Sequence, residues 1–165
     1  MTALDRDLLG IYLNDHLAGA SAGLELARRS ARSHSGDRAA LREIANEIAE
    51  DREELRTIMA TLGVPVRRYK EIAGWAMEKV GRLKPNGRIL SRSPLSDVLE
   101  VEALRLAVEG KAAGWLLLRR FAEQDGRLDA AQLDRLISRA ARQAEVLEDL
   151  RVNTAQQAFA PRPPG

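Results

Sequence analysis

Leu41, Ile44, Ile48, Asp51, Leu55, Ile58 and Leu62 follow one another in alternating three- and four-residue steps, the spacing of a helix that buries one side. A carboxylate at Asp51 interrupts an otherwise apolar row. Either the helix belongs to a bundle with a polar or metal-binding layer inside, or Asp51 is an ordinary charge that leans out to solvent.

The same periodicity predicts three more long helices. The first spans about residues 3–34, opened by Thr2 with Asp5 three residues on, a capping-box-like pair. Its inner face reads Leu9, Tyr12, Leu13, His16, Leu17, Ala20, Leu24 and Ala27. SHSGD at 33–37 punctuates, Asp37 caps the second helix, and Gly63 followed by Pro65 ends it. A third long helix starts at Ser93–Pro94 and stops at Asp125–Gly126; Asp129 with Gln132 opens a fourth that reaches Ala158. Between the second and third, residues 64–93 hold a shorter amphipathic piece (Tyr69, Ile72, Ala76, Val80) and a turn at Pro85, Asn86 and Gly87. That stretch is long enough to travel the length of a bundle. No strand pattern and no repeat interrupts this order, so the expected fold is all-α: an antiparallel pair, a long crossover containing a short extra helix, and a second antiparallel pair. Residues 1–158 read as one domain and 159–165 as a flexible tail.

This layout resembles the ferritin-like four-helix bundle over nearly the whole chain. The stretches YLNDHLAGASAGLELARR, EIAEDREELRTIMATLGV and SPLSDVLEVEALRLAVEGKAAGW carry a resemblance to an uncharacterised bacterial ferritin-like family. The resemblance implies a test for paired iron: a Glu from each of two helices and a Glu-x-x-His from each of the other two, all facing inward. The chain has only two histidines, His16 and His34, both in or at the end of the first helix. Glu47-x-x-Glu50, Glu50-x-x-Glu53 and Asp51-x-x-Glu54 lack one, and Glu145-x-x-Glu148 points away from the Leu133, Ala140, Leu147 face. The standard di-iron motif is missing.

A reduced site is a second expectation. His16 lies on the inner arc of the first helix, Asp51 on that of the second, Glu109 beside that of the third and Gln143 at the edge of that of the fourth. At ~1.5 Å per residue along antiparallel helices these four share a level, while Glu102 sits about 10 Å from the third helix's midpoint. One imidazole and a few oxygens suit a single divalent cation. The same His and Asp also suit a hydrogen-bonded polar pair that fixes helix register. No cofactor is expected on the second reading.

Other candidates fall away on position. Glu25 lies opposite His16 on the first helix, and Met59, which resembles the haem-binding methionine of bacterioferritin-like proteins, sits beside the core stripe. Ser30, Ser33, His34 and Ser35 lack a third orienting group and a nucleophile elbow.

The third helix looks apolar on two sides. Val98, Leu99, Ala103, Leu106, Ala113 and Leu117 are read as its inner stripe, and Val101, Leu104, Val108 and Trp115 as a second face, covered by the crossover or by a second copy in a homodimer.

Composition adds limits. Of 165 residues, 45% are apolar, enough for a full core, and only 4% aromatic, which suits helices packed through Leu, Ile, Val and Ala. The absence of cysteine excludes disulfides, thiolate metal sites and cysteine nucleophiles. Asp5, Arg6 and Asp7 fall where a signal peptide needs an apolar run, and no apolar stretch is long enough to span a bilayer. A cytoplasmic protein is expected, and the Ala, Arg and Leu bias suggests a GC-rich bacterial genome. Net charge is only +2. The crossover gathers Arg67, Arg68, Lys70, Lys79, Arg82, Lys84, Arg88 and Arg92, without the interleaved aromatics of a nucleic-acid surface. These features favour a structural or interaction protein, with no membrane or nucleic acid involved and any protein partner unidentified; the alternative is a divergent metal-binding or oxidative protein.

Overall fold

The computed structural model describes residues 5–67 and 94–161. Four helices make up the described chain: α1 (Arg6–Ser33), α2 (Arg38–Leu62), α3 (Pro94–Phe121) and α4 (Ala130–Ala158). The expected crossover helix, its turn and most of the basic segment lie outside the described residues, as does Thr2. None of the described helices is long and apolar enough to cross a membrane.

Aspartates start three of the helices by satisfying amides that have no partner within the helix. Asp5 accepts from Asp7 N at 3.0 Å and Leu8 N at 3.1 Å. Asp37 accepts from Ala39 N at 2.9 Å and Ala40 N at 3.0 Å, and Asp129 from Ala131 N at 2.9 Å and Gln132 N at 3.1 Å. The first helix therefore opens on Asp5 itself and not on a Thr2–Asp5 box. Gln132 likewise does not close a box: its amide reaches across to Glu54 Oε2 at 2.6 Å. At the far end of α2, Gly63 takes φ +70°, a left-handed conformation that favours glycine. Arg127, in the α3–α4 turn, adds a 3.2 Å bond to the carbonyl of Leu62.

Cross-helix contacts give the directions. Ser30 Oγ donates to Glu100 at 2.8 Å, Gly23 faces Ala107, and the His16 ring lies over Gly114. Position thus rises along α3 as it falls along α1, so these two are antiparallel. Glu54 meets Gln132 and Glu47 meets Gln143, so α2 and α4 are antiparallel too. The backbones of α1 and α2, α1 and α3, α3 and α4, and α2 and α4 are neighbours. Around the bundle the order is α1, α2, α4, α3, with α2 and α3 parallel at opposite corners. The end of α2 and the start of α3 therefore lie at opposite ends of the bundle.

Each helix turns a stripe of three- and four-residue steps inward. Leu13, Leu17, Leu24, Ala27 and Ala31 come from α1; Leu41, Ile44, Ile48, Leu55, Ile58 and Leu62 from α2; Leu133, Leu136, Ala140, Leu147 and Leu150 from α4. The stripe of α3 corrects the sequence reading. Val101, Leu104, Val108 and Trp115, read above as a second face covered by the crossover or by a second copy, are at most 3% exposed and belong to the core with Leu118. Leu106 is 58% exposed and Ala113 is exposed as well. Both faces of α3 are apolar, so apolarity alone did not say which one turns inward.

Where α2 ends, Asn14 of α1 fastens the departing chain. Its amide donates to Gly10 O at 2.8 Å and Pro65 O at 3.1 Å, and its oxygen accepts from Arg67 N at 2.8 Å. The side chain is buried and all three of these backbone partners are fixed by one residue.

Candidate functional site: a charged layer inside the bundle

The inward stripes of α2, α3 and α4 each carry a polar residue at mid-height, and the three meet there. On α2 it is Asp51, between Ile48 and Leu55; on α3, Lys111, between Val108 and Trp115; on α4, Gln143, between Ala140 and Leu147. Lys111 Nζ donates to Asp51 Oδ2 and to Gln143 Oε1. Its four-carbon stem spans the diagonal of the bundle.

A second row completes the valences. Arg139 Nη1 donates to Asp51 Oδ1 at 3.0 Å and lies 3.1 Å from Glu50. Gln143 Nε2 donates to Glu47 Oε2 at 2.8 Å and lies 3.3 Å from Asp51 Oδ2. Arg142 closes the row with a 2.6 Å bond to Glu47 Oε1. Asp51 is 1% exposed and Gln143 fully buried. Such groups are tolerable inside a bundle only when hydrogen-bonded and neutralised, and here both conditions hold.

The electrostatics follow from burial and pairing. Burial holds the Lys111 ammonium below its ordinary pKa, with Asp51 opposing that shift. Glu47 is pushed up by burial, but the hydrogen bonds from Gln143 and Arg142 and the charges of Arg142 and Arg139 leave it lower than usual.

Of the residues singled out in the sequence, the structure brings together Asp51 and Gln143. His16 is elsewhere. Its ring lies between Tyr12, at 4.4 Å between centroids, and the backbone of Gly114. A Cβ built on Gly114 would fall 2.9 Å from the imidazole. Burial lowers the His16 pKa against the pull of Asp15 and raises that of Tyr12. Glu109 is exposed and pairs with Arg105 at 3.0 Å; Glu102 is exposed and stands 3.9 Å from Arg151. The expected His16–Asp51 pair is thus replaced by Lys111–Asp51. The long lysine side chain reaches Asp51 and Gln143 across the bundle from α3.

Sequence reasoning missed Lys111, Arg139 and Arg142. A signal for Lys111 existed: Val101, Leu104, Val108, Lys111, Trp115 and Leu118 repeat the three- and four-residue steps, interrupted by a cation just as the α2 row is interrupted by an anion.

Elsewhere, Glu25 is exposed beside Arg28 at 3.7 Å, and Met59 is fully buried in the core. His34, fully buried, accepts from Gly36 N through Nδ1 at 2.8 Å, which leaves the proton on Nε2, 3.4 Å from Thr154 Oγ1. Ser35 donates to Asp97 at 2.7 Å. The imidazole nitrogens face Gly36 and Thr154 and not Ser35, so serine, histidine and aspartate do not line up as a relay. A cavity of about 270 Å³ opens beside this turn, lined by Gly36, Asp37, Leu150, Asn153, Thr154, Gln156 and Gln157. Its Thr154 hydroxyl bonds Leu150 O at 2.6 Å, and its Asp37 carboxylate is occupied in capping α2.

Among the described residues no group of three or more His, Asp and Glu side chains is arranged to hold a metal ion. Compared with protein-family models, with curated proteins and with solved structures, the chain matches none.

Proposed function

We propose that the chain is a ferritin-like bundle with a structural or interaction role in the bacterial cytoplasm, its interior held together by an ion layer in place of a metal centre. The parallel arrangement of α2 and α3 across a long connection supports the ferritin-like assignment, and the lack of cysteine suits a reducing compartment. One observation carries the functional part: the Lys111 ammonium sits at the centre of the bundle, donating to Asp51 and Gln143.

A divalent cation seeks deprotonated donors that no other cation has taken. Asp51 is shared by Lys111 and Arg139, and Glu47 by Gln143 and Arg142. A metal entering the layer would meet positive charges within hydrogen-bonding reach of every carboxylate it needs, and at that range the repulsion is large in a buried medium. The layer therefore serves cohesion and helix register.

Elemental analysis of protein purified without chelators tests this. Background metal content, unchanged by Asp51→Asn, supports the reading. Stoichiometric iron, manganese or zinc that disappears in the Asp51→Asn protein overturns it.

A further inference from the structure

We infer that the outward face of α3 is a two-fold interface with a second copy of this chain. The inference rests on reading the protein as an interaction bundle and names its partner.

A bundle helix that turns one stripe to the core normally shows charge to water on the other side. The outer side of α3 instead exposes Leu106 at 58% and Leu116 at 51%, with Leu95 at 47% one end away. Between Leu106 and Leu116 come Gly110 and Ala113, both exposed. Small residues at that point let another helix approach closely. At 3.6 residues per turn, Leu95, Glu102, Leu106, Ala113 and Arg120 fall within about 40° of one another, so they form one strip.

The ends of that strip carry opposite charges on the same edge: Glu102 and Arg120, eighteen residues apart, or about 27 Å along the helix. Glu102 has only a 3.9 Å approach from Arg151, and Arg120 makes no ion pair among the described residues. A second α3 laid antiparallel, with the two-fold axis beside residue 111, sets Glu102 against Arg120 of the partner subunit and brings Leu106 and Leu116 of the two copies to the same heights along the seam. The symmetry repeats the charged contact. A parallel pairing would oppose Glu102 to its own copy and Arg120 to its own copy, which is repulsive at both ends. The face thus carries both halves of its complementarity, the condition for an isologous, closed dimer.

Light scattering and sedimentation equilibrium of the full chain provide the test. The wild-type mass is expected at twice 18.2 kDa. Leu106→Glu is expected to give the monomer mass with unchanged helical content, because the side chain it replaces is exposed. Arg120→Glu should weaken the dimer about tenfold, two rim pairs being lost at once, and adding Glu102→Arg should restore it. The proposal is overturned by a wild-type mass of 18.2 kDa at all concentrations, by a dimer that survives Leu106→Glu, or by a doubly reversed protein no tighter than Arg120→Glu alone. A monomeric wild type would sink this surface and leave the metal-content test of the bundle's role unaffected.

Discussion

Lys111 and Asp51 stand on helices whose backbones are not neighbours, and their side chains meet across the diagonal of the bundle. Removing one partner leaves the other charged in an apolar interior. Lys111→Met is expected to cost about 3–5 kcal/mol, toward the lower end because Arg139 still reaches Asp51. Asp51→Val strands the ammonium instead and should lose a similar amount. The combined Lys111→Met and Asp51→Val protein should recover most of the loss, because an apolar layer needs no neutralisation. Urea denaturation of the four proteins measures this; losses that simply add would refute the coupling.

Asn14 makes three hydrogen bonds with backbone groups, two of them to the chain leaving α2. Asn14→Ala leaves the Pro65 carbonyl and the Arg67 amide without this partner, at a cost of about 1–3 kcal/mol. The local effect is more specific than the global one. Amide exchange at Arg67 should accelerate well beyond the average increase across α1 and α2, and equal acceleration everywhere would count against the clamp.

Gly114 gives the His16 ring its place. Gly114→Ala puts a Cβ 2.9 Å from Cε1 of that ring, and the imidazole must move from its half-buried position. Overpacking of this kind costs about 1–3 kcal/mol, while alanine gains up to about 1 kcal/mol in helix propensity. The substitution alone should therefore destabilise. In a His16→Ala background the clash disappears, and the same change at Gly114 should become neutral or stabilising. Thermal melts of the single and double variants decide it; a Gly114→Ala effect independent of residue 16 would disprove the relation.

Acid should weaken the fold in two separate windows. His16 has a folded pKa below its ordinary value, burial being the larger cause and Asp15 opposing. Between that lowered value and the unfolded value of about 6.5, the unfolded chain binds the extra proton. Stability therefore falls as pH drops below about 6.5 and levels off once the folded protein also takes the proton. Glu47, lowered on balance by its partners, contributes stability above its unfolded value of about 4.3 that is lost as pH falls through its lower folded value. Urea midpoints from pH 8 to 3 should show both steps, and His16→Gln should abolish only the upper one.

The helices were legible because their caps and stripes are local. Asp37, Gly63 and Asp129 stand where the structure uses them, and Asp51 announced a polar layer. What was illegible depended on rotation and reach. The two apolar faces of α3 offer equivalent stripes, and the one without Lys111 keeps Val98 inward but places Leu106 and Ala113 there as well, where the structure exposes them. The structure chose the stripe containing the cation because Asp51 and Gln143 receive it there. His16 shares the apolar arc of α1, yet a short ring beside Gly114 cannot extend to the bundle axis as a lysine stem does.

The diagonal contact also bears on how the chain acquires its shape. The hairpin of α1 and α2 holds an anion on its sticky side, and the hairpin of α3 and α4 holds the matching cation. Either half made alone would offer a greasy surface with an unanswered charge in the middle of it, a poor template for stable collapse. Docking of the two halves answers both charges at once.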